Sequence, residues 1–166
     1  MSDSILSIEH LSVPTILQDN CSNIIAYINT LDKDNILRKI INENKLDKES
    51  DDELTTHGQL GIEFVKEENI FVVIFGFVYE YQSVGEKYCN GKINKISEKE
   101  AIAAIINSKV KVLDNDSEVK VSQEVLALPL LSKASQLTYN LTSELASIPQ
   151  GTKFDVENFE GLKNNL

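Results

Sequence analysis

The sequence IFVVIFGFVYEY, residues Ile70–Tyr81, is the most apolar stretch of the chain. Successive side chains of a β-strand point to opposite faces, so this stretch would carry apolar groups on both of them. A strand of that kind is typically covered on both sides. One face would hold Phe71, Val73, Phe75, Phe77, Tyr79 and Tyr81. The stretch therefore predicts the central strand of a sheet.

Strand patterns also occur on either side of this central strand. Residues 59–66 are joined to the central strand by a three-residue polar connection, and this short spacing favours an antiparallel hairpin. Residues 86–96 contain Asn90-Gly91, a pair that readily adopts a tight turn, and so form either one kinked strand or a small hairpin. Two further strands are predicted at 109–113 and 117–125, around a polar turn.

Other segments have helical patterns. Residues 22–31 place four apolar side chains on one helical face, and Asp34 is suited to cap a second helix that begins near Ile36. The sequence Ser97-Glu98-Lys99-Glu100 matches a capping box, which predicts a short helix that ends near Asn107. Near the start of the chain, residues 5–13 alternate partly between apolar and polar side chains and are followed by a proline, which predicts an opening strand.

A long amphipathic helix is predicted for Pro129–Ser147. Its leucines recur at three- and four-residue spacing, Pro129 suits the first turn, and Pro149 with Gly151 would end it. The outward positions are polar but almost uncharged, so burying them against a second protein surface costs less than burying charges. The oligomer interface predicted from this face comprises Ser132, Ser135, Gln136, Tyr139, Asn140 and Ser143.

Together these elements predict an α+β fold, an antiparallel sheet with helices packed on one face and a long C-terminal helix. We expect a single domain over residues 1–166. Its N-terminal part, 1–46, would hold a strand and helices, and 59–166 would hold the sheet and C-terminal helix. Residues 47–58 between them are acidic and nearly devoid of apolar residues.

The charge balance narrows the classes of partner. The net charge is −10, from 26 acidic and 16 basic residues, with a single arginine, Arg38. Nucleic-acid binding needs clustered Lys and Arg, so this composition argues against it and favours basic protein partners or simple solubility. No apolar run is long enough to span a bilayer, and no secretory signal is visible. With two cysteines and no export signal, a cytoplasmic location is expected.

Few residues are suited to chemistry. Asp114, Asp116 and Glu118 imitate the start of a calcium loop, but the required glycine position holds Val119, so we interpret them as an acidic turn. No His or Cys has the spacing of a structural metal site. A nucleophile built from Cys89 or Cys21 with His57 stays open, because sequence does not show which side chains meet. We expect no metal, no cofactor and no enzymatic activity.

The aromatic row has two interpretations. Rings on a strand are most often core, but the Tyr79 and Tyr81 end is also suited to line a groove that accepts apolar side chains. The client-binding residues predicted on the second interpretation are Phe71, Phe75, Phe77, Tyr79 and Tyr81.

The C-terminal part of the chain resembles the SecB-like export chaperones. The resemblance rests on Leu128-Pro129-Leu130-Leu131, Gln136-Leu137-Thr138, Pro149-Gln150 and Asn158-Phe159, with Leu162 beyond. The chain departs from the family pattern at Leu130 and Ser132, where an aromatic and an arginine are usual, and at Lys163, Asn164 and Asn165, where the acidic tail that engages the translocation motor would be expected.

The resemblance implies assembly into dimers or tetramers and grooves that hold unfolded polypeptides without nucleotide. We therefore predict a non-enzymatic polypeptide-binding protein, a homo-oligomeric chaperone. The alternative is an acidic antitoxin or immunity protein that neutralises one toxin through residues 47–53 and the N-terminal acids.

Overall fold

The computed structural model describes residues 5–46, 54–113 and 121–143, and within them not the side chains of 84–87, 89, 94–97 and 143. The described elements are a four-stranded antiparallel sheet and three helices. The strands lie in the order β1-β4-β3-β2. This confirms the predicted α+β class. Of the motifs that carry the SecB-like resemblance, those beyond Ser143 lie outside the described residues.

The central strand prediction is confirmed. β3 spans Ile70–Cys89 and pairs with β2, Thr56–Val65, on one side and with β4, Lys92–Val112, on the other. Its odd-numbered residues from Phe71 to Tyr81 lie in one hydrophobic cluster, and Ile74 and Val78 pack in the cluster on the opposite face. Both faces are thus covered, because leaving either in water would expose a continuous apolar surface.

The Asn90-Gly91 pair forms a hairpin turn between β3 and β4. Both residues have positive φ, 53° and 78°, the geometry that the tight turn between twisted antiparallel strands requires. The alternative of one kinked strand is therefore excluded, and the hairpin is far longer than predicted, since its paired residues run from Cys89↔Lys92 to Ile70↔Lys111.

The predicted helix after Ser97 is wrong, because residues 97–107 belong to β4. Residues 101–106 are buried without interruption, even-numbered residues in one cluster and odd-numbered residues in the other. A strand covered on both faces produces a continuous apolar run, which imitates a short buried helix. Glu100 does not close a capping box but accepts a hydrogen bond from the Tyr81 hydroxyl. Pairing with β3 and β1 has overridden the local signal.

The first strand is longer than predicted. β1 spans Leu6–Asn20, passes through Pro14, and pairs antiparallel with β4 at the edge of the sheet. The register shifts between Ser12 and Thr15, so Pro14 sits in an irregular part of the ladder where its missing N–H breaks no regular pairing. The N-terminal strand is therefore part of the same sheet as β2, β3 and β4.

Two short helices cover one face of the sheet. α1, Cys21–Ile28, and α2, Ile36–Asn44, begin at Asn20 and Asn35, whose side chains accept bonds from backbone N–H groups of the first turn. The cap is thus Asn35 rather than Asp34. Both helices bury apolar side chains against the odd-numbered residues 101–105 of β4 and Val78 of β3.

The third helix covers the other face. α3, Gln123–Ser143, packs Leu126, Leu130 and Leu131 against the aromatic row of β3. Helices therefore lie on both faces of the sheet and not on one, because Val78 and its neighbours also need an apolar cover. Residues 123–125 begin this helix, so the strand predicted at 117–125 is wrong there; residues 114–120 lie outside the described part.

Pro129 lies inside α3 and not in its first turn. The proline ring lacks the N–H that would bond to the carbonyl of Val125, one turn earlier. Val125 is exposed, so water can satisfy that carbonyl. This explains how a helix with an internal proline extends to Gln123.

Gly76 provides a stability prediction, because a Cβ at this position would lie 2.7 Å from Cγ2 of Ile36 in α2. We expect Gly76→Ala to lower the free energy of unfolding by about 1–3 kcal/mol, since α2 must shift on the sheet. Adding Ile36→Leu removes the clashing methyl group and should recover part of the loss. Urea unfolding of the single and double variants measures this; equal stability of Gly76→Ala and the unmodified chain would contradict the packing.

Candidate functional site

The predicted client-binding rings lie in the core beneath α3. Phe71, Phe75, Phe77, Tyr79 and Tyr81 are each at most 8% exposed. Phe75 and Phe77 stack at 5.9 Å between ring centroids, as do Tyr79 and Tyr81. The prediction of an open groove along this row is corrected, because α3 seals it. A polypeptide would reach these rings only after α3 moved away.

A hydrogen-bond network holds the C-terminal end of α3 against the sheet. The Tyr81 hydroxyl donates to Oε2 of Glu100 at 2.8 Å and accepts from Nε2 of Gln18 at 2.8 Å. Gln18 also donates to the carbonyl of Leu141 at 3.1 Å. Burial, together with the Glu100 carboxylate, raises the pKa of Tyr81 to about 12. The phenol therefore stays protonated at neutral pH and ties α3 to β1, β3 and β4.

The outer face of α3 matches the predicted interface in its exposure. Ser132, Gln136, Tyr139 and Asn140 are exposed, and Ser135 is half-buried with its hydroxyl donating to the carbonyl of Leu131. The side chain of Ser143 lies outside the described residues. Sequence analysis missed two exposed apolar residues on this helix, Val125 and Leu128, because it assigned 125 to a strand and began the helix at 129. Self-association through this face stays a prediction.

An apolar row on β1 is a surface that sequence analysis did not find. Ile8, Leu11 and Ile16 are 53%, 41% and 45% exposed. They pair with Val110, Ser108 and Ala104 of β4, which places all three on the face of the sheet that carries α3. Two register shifts, at Ile8/His10 and Ser12/Thr15, keep them on this face despite their uneven spacing. The spacing hid the signal, since a regular strand would have put Leu11 on the face opposite Ile8.

Glu80 is the buried acid of the opposite face, with 6% of its surface exposed. Its Oε2 accepts from the Cys21 thiol at 2.8 Å and lies 3.0 Å from Nζ of Lys99. Its Oε1 accepts from the backbone N–H of Thr55 at 3.1 Å and from the Thr55 hydroxyl. One carboxylate thus joins the start of α1, the residue before β2, and β4.

These partners set the ionisation of the site. Burial alone would raise the pKa of Glu80, but the hydrogen bonds from Cys21, Thr55 and Lys99 and the charge of Lys99 bring it below its usual value. Burial and the neighbouring carboxylate raise the pKa of Cys21 to about 12. Glu80 is therefore ionised and Cys21 protonated at neutral pH.

The possible Cys/His nucleophile can now be placed in part. Cys21 donates its hydrogen bond to Glu80. Burial lowers the pKa of His57, and the charge of Glu80 partly opposes this. A thiol whose pKa is near 12 is a poor nucleophile at neutral pH, since the thiolate is the reactive form. Cys21 is therefore suited to hold structure, and the side chain of Cys89 lies outside the described residues.

The described residues contain no group of three or more His, Cys, Asp or Glu side chains placed to hold a metal ion. None of their helices is long and apolar enough to cross a membrane.

No protein-family model matches the chain, and no curated protein matches it significantly in sequence. Among solved structures, it is similar to a SecB-like chaperone of Mycobacterium tuberculosis in complex with a peptide from an antitoxin, with 9% sequence identity and a TM-score of 0.43 over 90% of this chain and 86% of that one.

The Glu80 site predicts how stability depends on pH. Because folding lowers the pKa of this carboxyl, its contribution is present above the ordinary value of 4.5 and is lost as the pH falls through the lower folded value. We expect Glu80→Gln to cost about 2 kcal/mol at pH 7, since a neutral amide replaces a charged acceptor of several bonds. The difference from the unmodified chain should shrink as the pH falls below that value.

Urea unfolding at a series of pH values measures this difference. Glu63→Gln, a neutralised acid at an exposed position of β2, is the matched control and should change stability little. A Glu80→Gln variant as stable as the control at pH 7 would contradict the role of the buried carboxylate.

Proposed function

We propose that the chain is a non-enzymatic, cytoplasmic, chaperone-like protein that holds unfolded or partly folded polypeptides and acts as a homo-oligomer. The observation that supports this most directly is the exposed apolar row Ile8, Leu11 and Ile16 on the edge strand β1. Exposed side chains of this size, grouped on one strand face, are typical of surfaces that contact another polypeptide.

The edge position of β1 fits an extended client. Among the described strands, β1 pairs with β4 alone, so its outer edge can offer backbone N–H and C=O groups. A polypeptide that adds to such an edge gains main-chain hydrogen bonds whatever its sequence, and only an unfolded segment has its own backbone free to form them. The apolar row beside this edge would bind the client's side chains.

The charge of the chain supports the same kind of partner. With a net charge of −10, it would attract basic unfolded segments at a distance and repel other acidic chains. This effect acts on the rate of encounter more than on affinity, so the apolar row must provide most of the holding. The buried ring row then supports β1 and α3 from below and is not itself the contact surface.

Client binding is tested with Leu11→Thr combined with Ile16→Thr, which places a β-branched residue at both positions but removes apolar surface. Losing two partly buried contacts of about 1 kcal/mol each would raise the concentration needed for half-maximal suppression of aggregation about tenfold or more. Thermal aggregation of two unrelated client proteins is the measurement. Tyr27→Ala, which removes an exposed ring from α1, is the control and should keep full suppression.

Two results would reject this function. In the first, the unmodified chain suppresses the aggregation of neither client; in the second, it binds one folded basic protein tightly and loses affinity as salt rises. The second result would favour a specific antitoxin or immunity protein.

Self-association through the outer face of α3 is tested with Gln136→Glu combined with Asn140→Lys. The new pair has the i, i+4 order that stabilises a helix, so α3 should stay folded while its uncharged face becomes charged. Sedimentation should show an oligomer for the unmodified chain and a smaller mass for the variant. Ser22→Glu with Ala26→Lys puts the same pair on exposed positions of α1 and should leave the mass unchanged. A monomeric unmodified chain would contradict the oligomer.

A further inference from the structure

The β3–β4 hairpin continues beyond the rest of the sheet. β2 pairs with β3 no further than Tyr79, and β1 pairs with β4 no further than Glu100. Residues 82–99, which we call the arm, therefore pair only with each other among the described strands, from Gln82↔Lys99 to Cys89↔Lys92. Each side of the arm has about eight residues, which corresponds to a length of about 27 Å.

The tip of the arm combines exposed apolar groups with positive charge. Tyr88 and Ile93 are cross-strand partners and are 74% and 64% exposed, more than any other large hydrophobic side chain described. Residues 87–95 hold three lysines and no acid, a charge of +3, so the remaining residues of this −10 chain carry −13. The tip thus combines the exposed Lys92 with an exposed apolar pair on an acidic protein.

The exposed tip of the arm is expected to pack against another protein surface. An isolated two-stranded hairpin is at best marginally stable in water, and a projecting pair of large apolar side chains adds the cost of their hydration. A partner surface for the tip should offer apolar side chains and negative charge together.

The first turns of α3 offer such a surface. Val125 and Leu128 are about half exposed, and Glu124 beside them is exposed and is the one acid in the helix. Further along, the outer face of α3 is uncharged apart from the half-buried Lys133. At 21 residues α3 is about 31 Å long, close to the length of the arm.

An arm cannot reach this surface within its own chain. The C-terminal end of α3 is bonded through Gln18 to Tyr81, where the arm begins. α3 packs mainly on β3 and β4 and so runs along these strands. Its first turns therefore lie toward the opposite end of the sheet from the arm, and the contact requires a second molecule.

We propose that the arm of one copy lies along the outer face of α3 of a second copy. Tyr88 and Ile93 contact Val125 and Leu128 of the second copy, and Lys92 lies beside its Glu124. Two copies in antiparallel orientation make the contact twice, once for each arm, which gives a closed two-fold interface. This inference rests on the self-association in the proposed function and is independent of client binding.

An acidic second copy fits the tip better than an anionic membrane does. A bilayer would also attract the lysines and accept the apolar pair, and the −13 of the remaining chain is repelled by an anionic bilayer and by an acidic second copy alike. A second copy supplies the apolar pair, the acid and a face of matching length at one place.

The test uses the full chain and compares three tip variants by sedimentation equilibrium. Tyr88→Thr with Ile93→Thr keeps β-forming residues but should raise the dissociation constant of the oligomer about tenfold or more. Lys92→Glu should weaken it by bringing two acids together, and adding Glu124→Lys should restore it. Tyr27→Ala is the control, and circular dichroism checks that each variant keeps its folded content.

Each outcome decides between the surfaces. Loss of assembly in the tip variants with rescue by the charge reversal supports the arm contact. Unchanged mass in the tip variants, while the Gln136→Glu, Asn140→Lys pair dissociates, overturns the arm contact but leaves self-association through α3 intact. Binding of anionic vesicles that the tip variants lose, with no change in mass, also overturns it and assigns the tip to a membrane. A monomeric unmodified chain rejects both the arm contact and the proposed assembly.

Discussion

The structure depends on one constraint, that β3 and β4 are apolar on both faces and need two covers. Residues 101–106 of β4 are buried without a break, and Phe75, Phe77 and Val78 of β3 are almost completely buried. A single layer of helices would leave one of these faces in water, at a cost of roughly 1.5–3 kcal/mol for each large side chain. The positions of α1 and α2 on one face and α3 on the other follow from this requirement, and so does the sealing of the aromatic row.

The elements that could be predicted are those in which local pattern and tertiary environment agree. The alternation in Ile70–Tyr81, the Asn90-Gly91 turn and the leucine spacing of α3 each indicate the observed structure, because the pattern that favours the element also buries it. In residues 97–107 the local pattern and the tertiary environment disagree. Their capping box favours a helix locally, but pairing with two neighbouring strands and burial on both faces stabilise the strand, and neither is visible in a window of ten residues. Sheet order and the irregular register of β1 were equally beyond local inference.

The residues of the candidate site could also be predicted only in part from local sequence. Sequence identifies which residues are apolar, but exposure depends on where the covering helix ends. The most aromatic row is therefore core, and the exposed apolar groups include three branched side chains on β1 and a pair at the tip of the arm. The outer positions of α3 were predictable because helical periodicity alone separates them from its leucines. The structure shows which apolar residues are the better candidates for partner contact. Large apolar side chains exposed on an edge strand need a partner more than rings that are already buried.

Glu80 links the two surfaces through the opposite face of the sheet. Its carboxylate is held by Cys21 at the start of α1, directly after β1, and by Lys99, the last residue of the arm. A buried carboxylate without these donors would carry a large desolvation cost, so the ion pair and hydrogen bonds favour one arrangement of α1, β2 and β4. The arm leaves the sheet beside this site, because the ion pair between Lys99 and Glu80 lies at its base. The apolar row on β1 and the tip of the arm are therefore presented by one framework, and a change that loosens the Glu80 site would alter both surfaces together.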